Sequence, residues 1–296
     1  MDESFILSEF DRLVNSGTVI YTDKEEMFEH IDGELKFQFL LTSALAKKPT
    51  IQLNPSAANG IDEMDQKREG SDISTHDFEI GEINTSHILV ANKFCWARPH
   101  LMLVTSDGYQ RQYESLNLDD IRSAWSLLST LDTDYVAFYN CGQDGGCSRL
   151  HKHLQLIPTP PNLFASFLDS KDGEPPRVPF EWFYRRLNPN DSTPERLLEI
   201  YNHLLEQSTK KGKGLSENFG TAPPNATCPH NFILTKRWMV VLPRQRAAIS
   251  KEAGVNAIGM PGYIAVATRK EIDNWIRLGL TDSLRELGVA KQEEAL

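Results

Sequence analysis

The sequence has few of the features that mark secreted and membrane-spanning proteins. Its 296 residues include only 4 cysteines, and no two of them are spaced as Cys-x-x-Cys, so a disulfide scaffold is not indicated. No apolar run approaches the roughly 20 residues of a membrane span. The acidic start, Met1 to Ser4, does not resemble a secretory signal. We therefore expect reduced thiols and a cytoplasmic protein, with the nucleus left open as a second compartment.

An excess of basic residues is also missing. The formal net charge is -10 at pH 7 and the isoelectric point is near 5.3, which argues against a surface that coats nucleic acid. A local cationic pocket for a small anionic ligand is still compatible with this charge. Hydrophobic content of 40% and charged content of 24% are ordinary for a globular protein with one large domain or two moderate ones. We expect no nucleic-acid or membrane partner, and a monomer or small homo-oligomer.

The N-terminal part combines a predicted helix with a predicted insertion. Apolar residues at three- and four-residue steps predict an amphipathic helix, and these residues are Phe28, Ile31, Leu35 and Phe39. Residues 54–85 are polar, glycine-containing and densely charged in their middle, so we expect a surface insertion without a core.

A mixed α/β (α+β) core is predicted after this insertion. Runs rich in β-branched and aromatic residues predict strands at 87–91, 101–105, 135–139 and 150–157. Asn117 is a predicted N-cap, followed by acidic residues in the first turn of a helix. Further along, we predict a helix over 194–206, a connector over 207–229, a hairpin of 231–235 with 238–242, and helical segments near the C-terminus.

The most informative stretch is residues 145–155, Gly-Gly-Cys-Ser-Arg-Leu-His-Lys-His-Leu-Gln. If it enters a strand, alternate side chains share one face, which places His151, His153 and Gln155 together. Lys152 and Leu154 then point the other way. The small-residue turn before the strand lets backbone amides approach an anion, and an imidazole can attack phosphorus. Spacing alone leaves metal ligation, a structural role and catalysis open for the two histidines.

Residues 140–158 resemble the fungal diadenosine tetraphosphate (Ap4A) phosphorylases, also called ATP adenylyltransferases, in the transferase branch of the histidine-triad (HIT) superfamily. The resemblance extends to residues 46–49, 87–105, 232–235 and 238–244. It implies a HIT-like antiparallel sheet with flanking helices and a C-terminal extension that completes the sheet. It also implies an N-terminal phosphorylase region at 1–170, a helical insertion and linker at 171–229, and a C-terminal adenylyltransferase region at 230–296.

The resemblance implies a reversible reaction in which Ap4A and phosphate give ATP and ADP. The nucleophile of the family corresponds to His153, which would carry a covalent adenylyl group. His151 would orient that nucleophile or bind phosphate. Gln155 stands where the hydrolase branches have a third histidine, and an amide can hold a phosphate oxygen without titrating. The ligands implied are Ap4A, ATP, ADP, AMP and phosphate, with no organic cofactor, no protein metal site, and Mg²⁺ or Mn²⁺ accompanying the polyphosphate.

The remaining candidate site residues match family positions near the nucleotides. For Lys48 the alternative is closure of a helix C-terminus, and for Asn140 it is a turn role. Arg149 and Leu150 depart from the glutamine and proline of several relatives, and Arg149 either adds a cation to the phosphate site or points away. Arg244 is a possible phosphate contact or a strand terminus. The substrate-binding residues that we predict are Lys48, Asn92, Lys93, Asn140, Gly146, Cys147, Ser148, Arg149, Asn256, Gly259 and Met260.

Two other functions are weighed against this one. A galactose-1-phosphate uridylyltransferase-like enzyme would share the His-x-His-x-Gln motif, but its usual zinc site needs Cys-x-x-Cys ligands that this sequence lacks. A non-catalytic nucleotide-binding HIT sensor or scaffold is disfavoured because the nucleophile, the glutamine and the small-residue turn are all retained.

Overall fold

Helices separate groups of strands along the chain in the computed structural model, which describes residues 1–47, 68–188, 191–212 and 226–291. The α-helices are α1 (Glu3–Asn15), α2 (Ser43–Ala46), α3 (Leu118–Thr130), α4 (Pro194–Gly212), α5 (Arg269–Leu278) and α6 (Leu280–Leu287), with a 3₁₀ helix at Phe164–Asp169. The strands are β1 (Glu26–Asp32), β2 (Leu35–Leu41), β3 (Glu79–Ile83), β4 (His87–Ala91), β5 (Leu101–Thr105), β6 (Tyr135–Cys141), β7 (His153–Pro158), β8 (Phe183–Arg186), β9 (His230–Leu234), β10 (Trp238–Pro243), β11 (Ala248–Ser250), β12 (Ala253–Gly254) and β13 (Tyr263–Val266).

One large antiparallel sheet organises the described residues. Its eight strands follow the order β3-β4-β5-β7-β6-β9-β10-β8. Strand β7 lies inside the sheet, paired with β5 on one side and β6 on the other. A second, three-stranded sheet has the order β1-β2-β13, in which β2 and β13 run parallel. The mixed α+β fold with an antiparallel sheet is therefore confirmed, and β9 and β10 of the C-terminal region extend this sheet, with β8 at the edge beyond them.

The large sheet has an apolar layer on each face. On one face, α1, α3 and α4 contribute Ile6, Ile121 and Leu197 to a cluster that includes Leu154 of β7. On the other face, the three-stranded sheet and the C-terminal helices pack through residues such as Phe39 and Trp275. Because both faces are covered, strands β6 and β10 are buried along their whole length.

Local sequence explains why α3 begins where it does. Asn117 accepts hydrogen bonds from the amides of Asp119 and Asp120, and the carboxylate of Asp120 accepts one from the amide of Asn117. This reciprocal capping box satisfies amides that the helix itself leaves unpaired. The predicted N-cap is therefore confirmed. The strands predicted at 87–91, 101–105 and 135–139, the helix that begins near 194 and the 231–242 hairpin are confirmed as well.

The helix predicted from Phe28 to Phe39 is wrong, because these residues form the β1–β2 hairpin. Gly33 has φ of 64°, which a glycine adopts without strain, and it turns the chain between the two strands. Ile31, which the helical pattern would bury, is 69% exposed. The apolar residues three and four apart lie on both strands of the hairpin, with Phe28 paired with Phe39, so their spacing alone does not distinguish a helix from this hairpin.

Two predicted irregular segments contain more structure than expected. Residues 68–85 of the predicted insertion include β3, which forms one edge of the large sheet, whereas residues 54–67 lie outside the described residues. In the predicted 207–229 connector, α4 continues to Gly212. The region 171–229 also contributes β8, the other edge of the sheet. No helix among the described residues is long and apolar enough to cross a membrane.

Candidate active site

The strand that carries the histidine motif presents two chemically different faces. The ammonium of Lys152 lies 2.6 Å from the carboxylate of Asp120 in α3, and Leu154 joins the apolar cluster under that helix. His153 and Gln155 alternate with these residues and face away from α3. Strand β7 itself starts at His153, while His151 forms an isolated antiparallel bridge with Arg111.

The imidazole of His153 is held as a neutral ring with its Nε2 unprotonated. Its Nδ1 lies 2.8 Å from the carbonyl oxygen of His151. Since a carbonyl oxygen only accepts, Nδ1 carries the proton and Nε2 carries the lone pair. Burial lowers the pKa of His153 from 6.5 to about 4, against the opposing effects of that hydrogen bond and the charge of Asp72. At neutral pH the ring is therefore uncharged, and Nε2 carries an unprotonated lone pair.

The backbone of His153 is fixed by Gln112, a residue that no sequence pattern indicated. The side-chain oxygen of Gln112 accepts from the amide of His153 at 2.7 Å, and its Nε2 donates to the carbonyl of His153 at 3.0 Å. The same Nε2 lies 3.1 Å from the carbonyl oxygen of Asn140. Gln112 is 1% exposed, so these bonds form without competition from water.

Both ring nitrogens of His151 lie within hydrogen-bond distance of other protein groups. Nδ1 lies 2.7 Å from the hydroxyl of Ser71, and Nε2 lies 2.8 Å from the hydroxyl of Thr105 and 3.1 Å from the carbonyl oxygen of Asp107. Burial lowers the pKa of this ring as well. Of the two roles expected for His151, the geometry favours orienting His153, through its carbonyl, over binding phosphate with its ring.

Gln155 belongs to a short chain of side chains that includes Asn92. Its Oε1 lies 2.9 Å from Nε2 of His100, and Nδ2 of Asn92 lies 3.2 Å from the same nitrogen. Since Oε1 of Gln155 faces His100, its NH₂ group is the end of the amide that can donate to a ligand. Lys93, the neighbour of Asn92, is exposed and its ammonium lies 5.9 Å from the ring centroid of Phe78.

The two glycines before the histidine strand are required because a Cβ at either position would lie too close to neighbouring backbone atoms. Gly146 has φ of 90°, and a Cβ there would lie 2.9 Å from the carbonyl oxygen of Val255. A Cβ on Gly145 would collide with the backbone of Cys141. The amide of Gly146 donates to Gln143 at 2.9 Å, so it is used inside the turn. The small residues thus let the turn fit between β6 and a C-terminal loop.

The next three predicted site residues differ in their chemistry, and they are Cys147, Ser148 and Arg149. Burial raises the pKa of the Cys147 thiol to about 12, so this thiol is neutral and a poor nucleophile at neutral pH. Ser148 is half-buried at the entrance to the strand. The guanidinium of Arg149 donates to the carbonyl oxygen of Asp72 at 3.2 Å, and its charge helps lower the pKa of His153.

A buried polar network attaches the glycine turn to the C-terminal loop. Asn231 donates to the carbonyl oxygen of Gly145 at 2.7 Å and to the side chain of Asn140 at 3.2 Å. Asn140 also accepts from the amide of Ala257 at 2.8 Å. Arg244 donates to Asn231 at 2.6 Å, and its complete burial lowers its pKa to about 9. Arg244 therefore ends a strand by binding carbonyl and amide oxygens inside the protein, the second of its two expected roles.

The C-terminal loop is brought beside the turn, as the predicted site requires. Asn256 caps the loop by accepting from the amides of Ile258 and Gly259 at 3.0 and 3.1 Å. A Cβ on Gly259 would collide with the side chain of Val255. Met260 is fully buried in the main core, which makes it a packing residue in this structure. These residues shape the loop, and their contacts with a nucleotide stay a prediction.

The remaining expectations concern Lys48 and metal binding. Lys48 lies outside the described residues. Among the residues that the structure describes, no group of three or more His, Cys, Asp or Glu side chains could hold a metal ion.

Several residues that hold the site were not found from the sequence. These residues contact the stretch 145–155 from distant positions, and they are Asp72, His100, Gln112 and Asn231. The shortest separation is 41 residues, from Gln112 to His153, and the next is 55 residues, from His100 to Gln155. Single polar residues of this kind carry no local pattern, so only their contacts in the folded chain reveal them.

The fold and the site define a mixed α+β protein whose central antiparallel sheet carries a buried, neutral histidine within a His-x-His-x-Gln strand. Residues 18–166 match the model of the Ap4A phosphorylase N-terminal domain, and residues 176–290 match that of the ATP adenylyltransferase C-terminal domain. The chain belongs to the Ap4A phosphorylase family.

Two proteins of Saccharomyces cerevisiae (strain ATCC 204508 / S288c) are similar in sequence. Diadenosine 5',5'''-P1,P4-tetraphosphate phosphorylase 2 is 29% identical over 212 residues, 63% of this chain and 64% of that protein. Protein APA1 is 30% identical over 206 residues, 62% of each chain. The chain thus aligns with somewhat less than two thirds of the length of these relatives.

Solved structures of yeast Ap4A phosphorylase Apa2 share the fold. The crystal structure of that protein alone has a TM-score of 0.75 at 22% identity, covering 100% of this chain and 97% of the other. Its complex with Ap4A has a TM-score of 0.75 at 23% identity and covers 99% and 100% of the two chains. Its complex with AMP gives the same TM-score.

Proposed function

We propose that this protein is an Ap4A phosphorylase that converts Ap4A and inorganic phosphate to ATP and ADP, reversibly, through an adenylyl group on His153. The family membership and the name of the yeast relative support this reaction. The observation that carries it is the 2.8 Å hydrogen bond between Nδ1 of His153 and the carbonyl of His151. This bond fixes the tautomer in which Nε2 can attack.

In the first step, the lone pair of Nε2 of His153 attacks the α-phosphorus of Ap4A. A nitrogen–phosphorus bond forms, the bond from that phosphorus to the bridging oxygen breaks, and its electron pair leaves with ATP. The imidazole keeps its Nδ1 proton and becomes a cation. The carbonyl of His151 already accepts from Nδ1, so it stabilises the charge that develops without a rearrangement of the backbone.

In the second step, an oxygen of inorganic phosphate attacks the same phosphorus. A phosphorus–oxygen bond forms, the nitrogen–phosphorus bond breaks, and its electron pair returns to Nε2 of His153, which releases ADP. Phosphate already carries an anionic oxygen at neutral pH, whereas water would have to lose a proton. Gln155 can donate a hydrogen bond to a phosphate oxygen but cannot take up that proton. This difference favours phosphate over water as the acceptor.

We further propose where the ligands bind and what accompanies them. Asn92, Lys93 and Lys48 would contact one nucleotide, and the loop that contains Asn256 would contact the other. Mg²⁺ or Mn²⁺ would enter with the polyphosphate, because the described residues offer no cluster of metal ligands. A cytoplasmic location is part of this proposal.

Product analysis with and without phosphate tests the proposal. We expect ATP and ADP in equal amounts when Ap4A, Mg²⁺ and phosphate are supplied together, and at most one equivalent of ATP per protein molecule without phosphate. Substrate labelled at the α-phosphorus should leave acid-labile, base-stable label on the protein.

Two variants locate the nucleophile. His153→Ala should lose phosphorolysis and labelling while it still folds. His203→Ala, which changes an exposed histidine of α4, is the matched control and should keep full activity. AMP release that does not depend on phosphate, or an active His153→Ala protein, would refute the proposed mechanism.

A further inference from the structure

The backbone just before His153 is held by a carboxylate from the segment predicted to be an insertion. Oδ2 of Asp72 accepts from the amide of Leu150 at 2.8 Å, and Oδ1 accepts from the amide of His151 at 2.8 Å. A carboxylate that accepts two consecutive amides fixes both the position and the direction of the strand entry.

Ser71 and the backbone of Asp72 also contact two side chains of the strand entry. The hydroxyl of Ser71 lies 2.7 Å from Nδ1 of His151, and the carbonyl oxygen of Asp72 accepts from Arg149 at 3.2 Å. Three successive residues of the strand entry are therefore bound by two successive residues that lie more than 70 positions earlier. We call residues 69–73 the clasp segment.

The clasp segment is itself packed against the turn at 107–111. Tyr109 donates to the carboxylate of Glu69 at 2.8 Å, and Arg111 donates to the carbonyl oxygen of Gly70 at 3.2 Å. A Cβ on Gly108 would collide with the backbone of Glu69. The same turn contributes the carbonyl of Asp107, which faces His151. The clasp segment, the turn and the strand entry thus form one closed set of contacts.

These contacts determine the direction of the His151 carbonyl, the group that holds Nδ1 of His153. The amide of His151 is bound by Asp72 and its ring by Ser71, so its peptide planes have little freedom to rotate. We propose that Asp72 is a positioning residue that aims the His153 nucleophile by fixing the backbone of His151. This inference rests on the proposed function, in which His153 attacks phosphorus.

The charge of Asp72 adds an electrostatic effect in the same direction. Its negative charge raises the pKa of His153 in opposition to burial, which means that it favours a cationic ring. The adenylylated imidazole is such a cation. Asp72 would therefore both aim the ring and stabilise it once the nitrogen–phosphorus bond has formed, without touching the substrate.

The variant Asp72→Asn tests the inference with almost no change in shape. An amide keeps one acceptor and turns two N–H donors toward a backbone amide, so one of the two bonds is lost and replaced by repulsion. We expect kcat for Ap4A phosphorolysis to fall about 10- to 100-fold with KM changed less than about twofold, since a misplaced nucleophile slows chemistry more than binding. Single-turnover adenylylation of His153 without phosphate should slow by the same factor.

Asp77→Asn is the matched control. It removes an exposed carboxylate from the same stretch, at φ of 67° where asparagine is readily accommodated. We expect wild-type kinetics from it. The affinity of Asp72→Asn for AMP should equal that of Asp77→Asn, and its melting temperature, although lowered by the lost hydrogen bond, should stay well above the assay temperature.

A pH profile separates positioning from general structural support. Removal of the charge of Asp72 lowers the pKa of His153, so the acid limb of kcat/KM, expected near pH 4, should move to lower pH in Asp72→Asn. Gly108→Ala, which displaces the clasp segment but keeps the charge, should slow adenylylation without that movement.

The outcomes distinguish failure of the inference about Asp72 from failure of the proposed function. If the wild-type protein releases ATP and ADP but Asp72→Asn matches it in kcat, the inference about Asp72 is wrong and the proposed function stands. A loss of kcat that follows the loss of folded protein would also overturn the positioning role. If the wild-type protein and His153→Ala are equally unable to use Ap4A, the proposed function fails, and the inference fails with it.

Discussion

The ammonium of Lys152 is buried beneath the histidine strand. It is 2.6 Å from the carboxylate of Asp120 and 2.8 Å from the carbonyl oxygen of Ser115, and its side chain is 2% exposed. Asp120 also contacts Nε2 of His87 at 3.0 Å and caps α3 through Asn117. Burial alone would raise the pKa of Asp120, but the hydrogen bond from His87 and the charge of Lys152 keep it below its ordinary value.

Replacement of Lys152 by methionine keeps an unbranched side chain, one atom shorter, and removes its charge. Asp120 would then be a buried carboxylate without its cationic partner, and the carbonyl of Ser115 would lose its donor. Removal of one member of a buried ion pair costs about 3 to 5 kcal/mol of folding free energy. For a chain of 296 residues this corresponds to a fall of about 5 to 8 °C in Tm.

Urea unfolding followed by circular dichroism measures this loss. The double variant Lys152→Met/Asp120→Asn should recover part of it, because the unpaired charge is then gone. Lys210→Met, which breaks an exposed pair with Glu206 on α4, is the control and should leave the midpoint nearly unchanged. A Lys152→Met protein as stable as Lys210→Met would refute the view that this ion pair supports the strand.

Three further predictions concern acid stability, the glycine turn and the phosphate contact. Burial lowers the pKa of His153 and of His230 from 6.5 to about 4, so the unfolded chain binds protons that the folded chain does not. Stability should therefore fall between pH 7 and pH 4 by about 3 kcal/mol for each histidine, measured by urea unfolding at stepped pH, and a flat profile would contradict the burial of both rings. Gly146→Ala should lower the unfolding free energy by about 1 to 3 kcal/mol, because its φ is 90° and its Cβ would lie 2.9 Å from the carbonyl of Val255; an unchanged urea midpoint would count against this packing. Gln155→Leu should lower kcat about 100- to 1,000-fold by removing a donor to the phosphate oxygen, and a change of less than twofold in steady-state kinetics would rule out that role.

Local sequence patterns predicted the elements whose signals lie within a few residues. The run at 87–91 is β4, and Asn117 with Asp120 starts α3 through contacts three residues apart. The pattern from Phe28 to Phe39 failed because a helical period and a hairpin place apolar residues at similar spacings. Asp32 pairs with Leu35, so Gly33 and Glu34 form the two-residue turn of that hairpin, and the glycine at its first position is the signal that would have corrected the prediction.

The site was predictable where its residues are consecutive and not where they come from distant segments. The alternation of Lys152 with His153 and the presence of a small-residue turn followed from the sequence alone. The assignment of Asp72 and Gln112 to the site did not, because their contacts with the histidine strand span 79 and 41 residues. Such contacts depend on how the chain is folded over β5 and β7, which no local pattern encodes.

The pairing of β6 with β9 has a consequence for how the chain could be divided. These neighbouring strands come from the two regions that the two family models match, and their register runs from Ala137–Leu234 to Cys141–His230. An isolated N-terminal fragment would expose the edge of β6 as a row of unpaired amides and carbonyls, open to self-association. The two regions would therefore be expected to reach the native state as complementary fragments that assemble together, and not as separable modules.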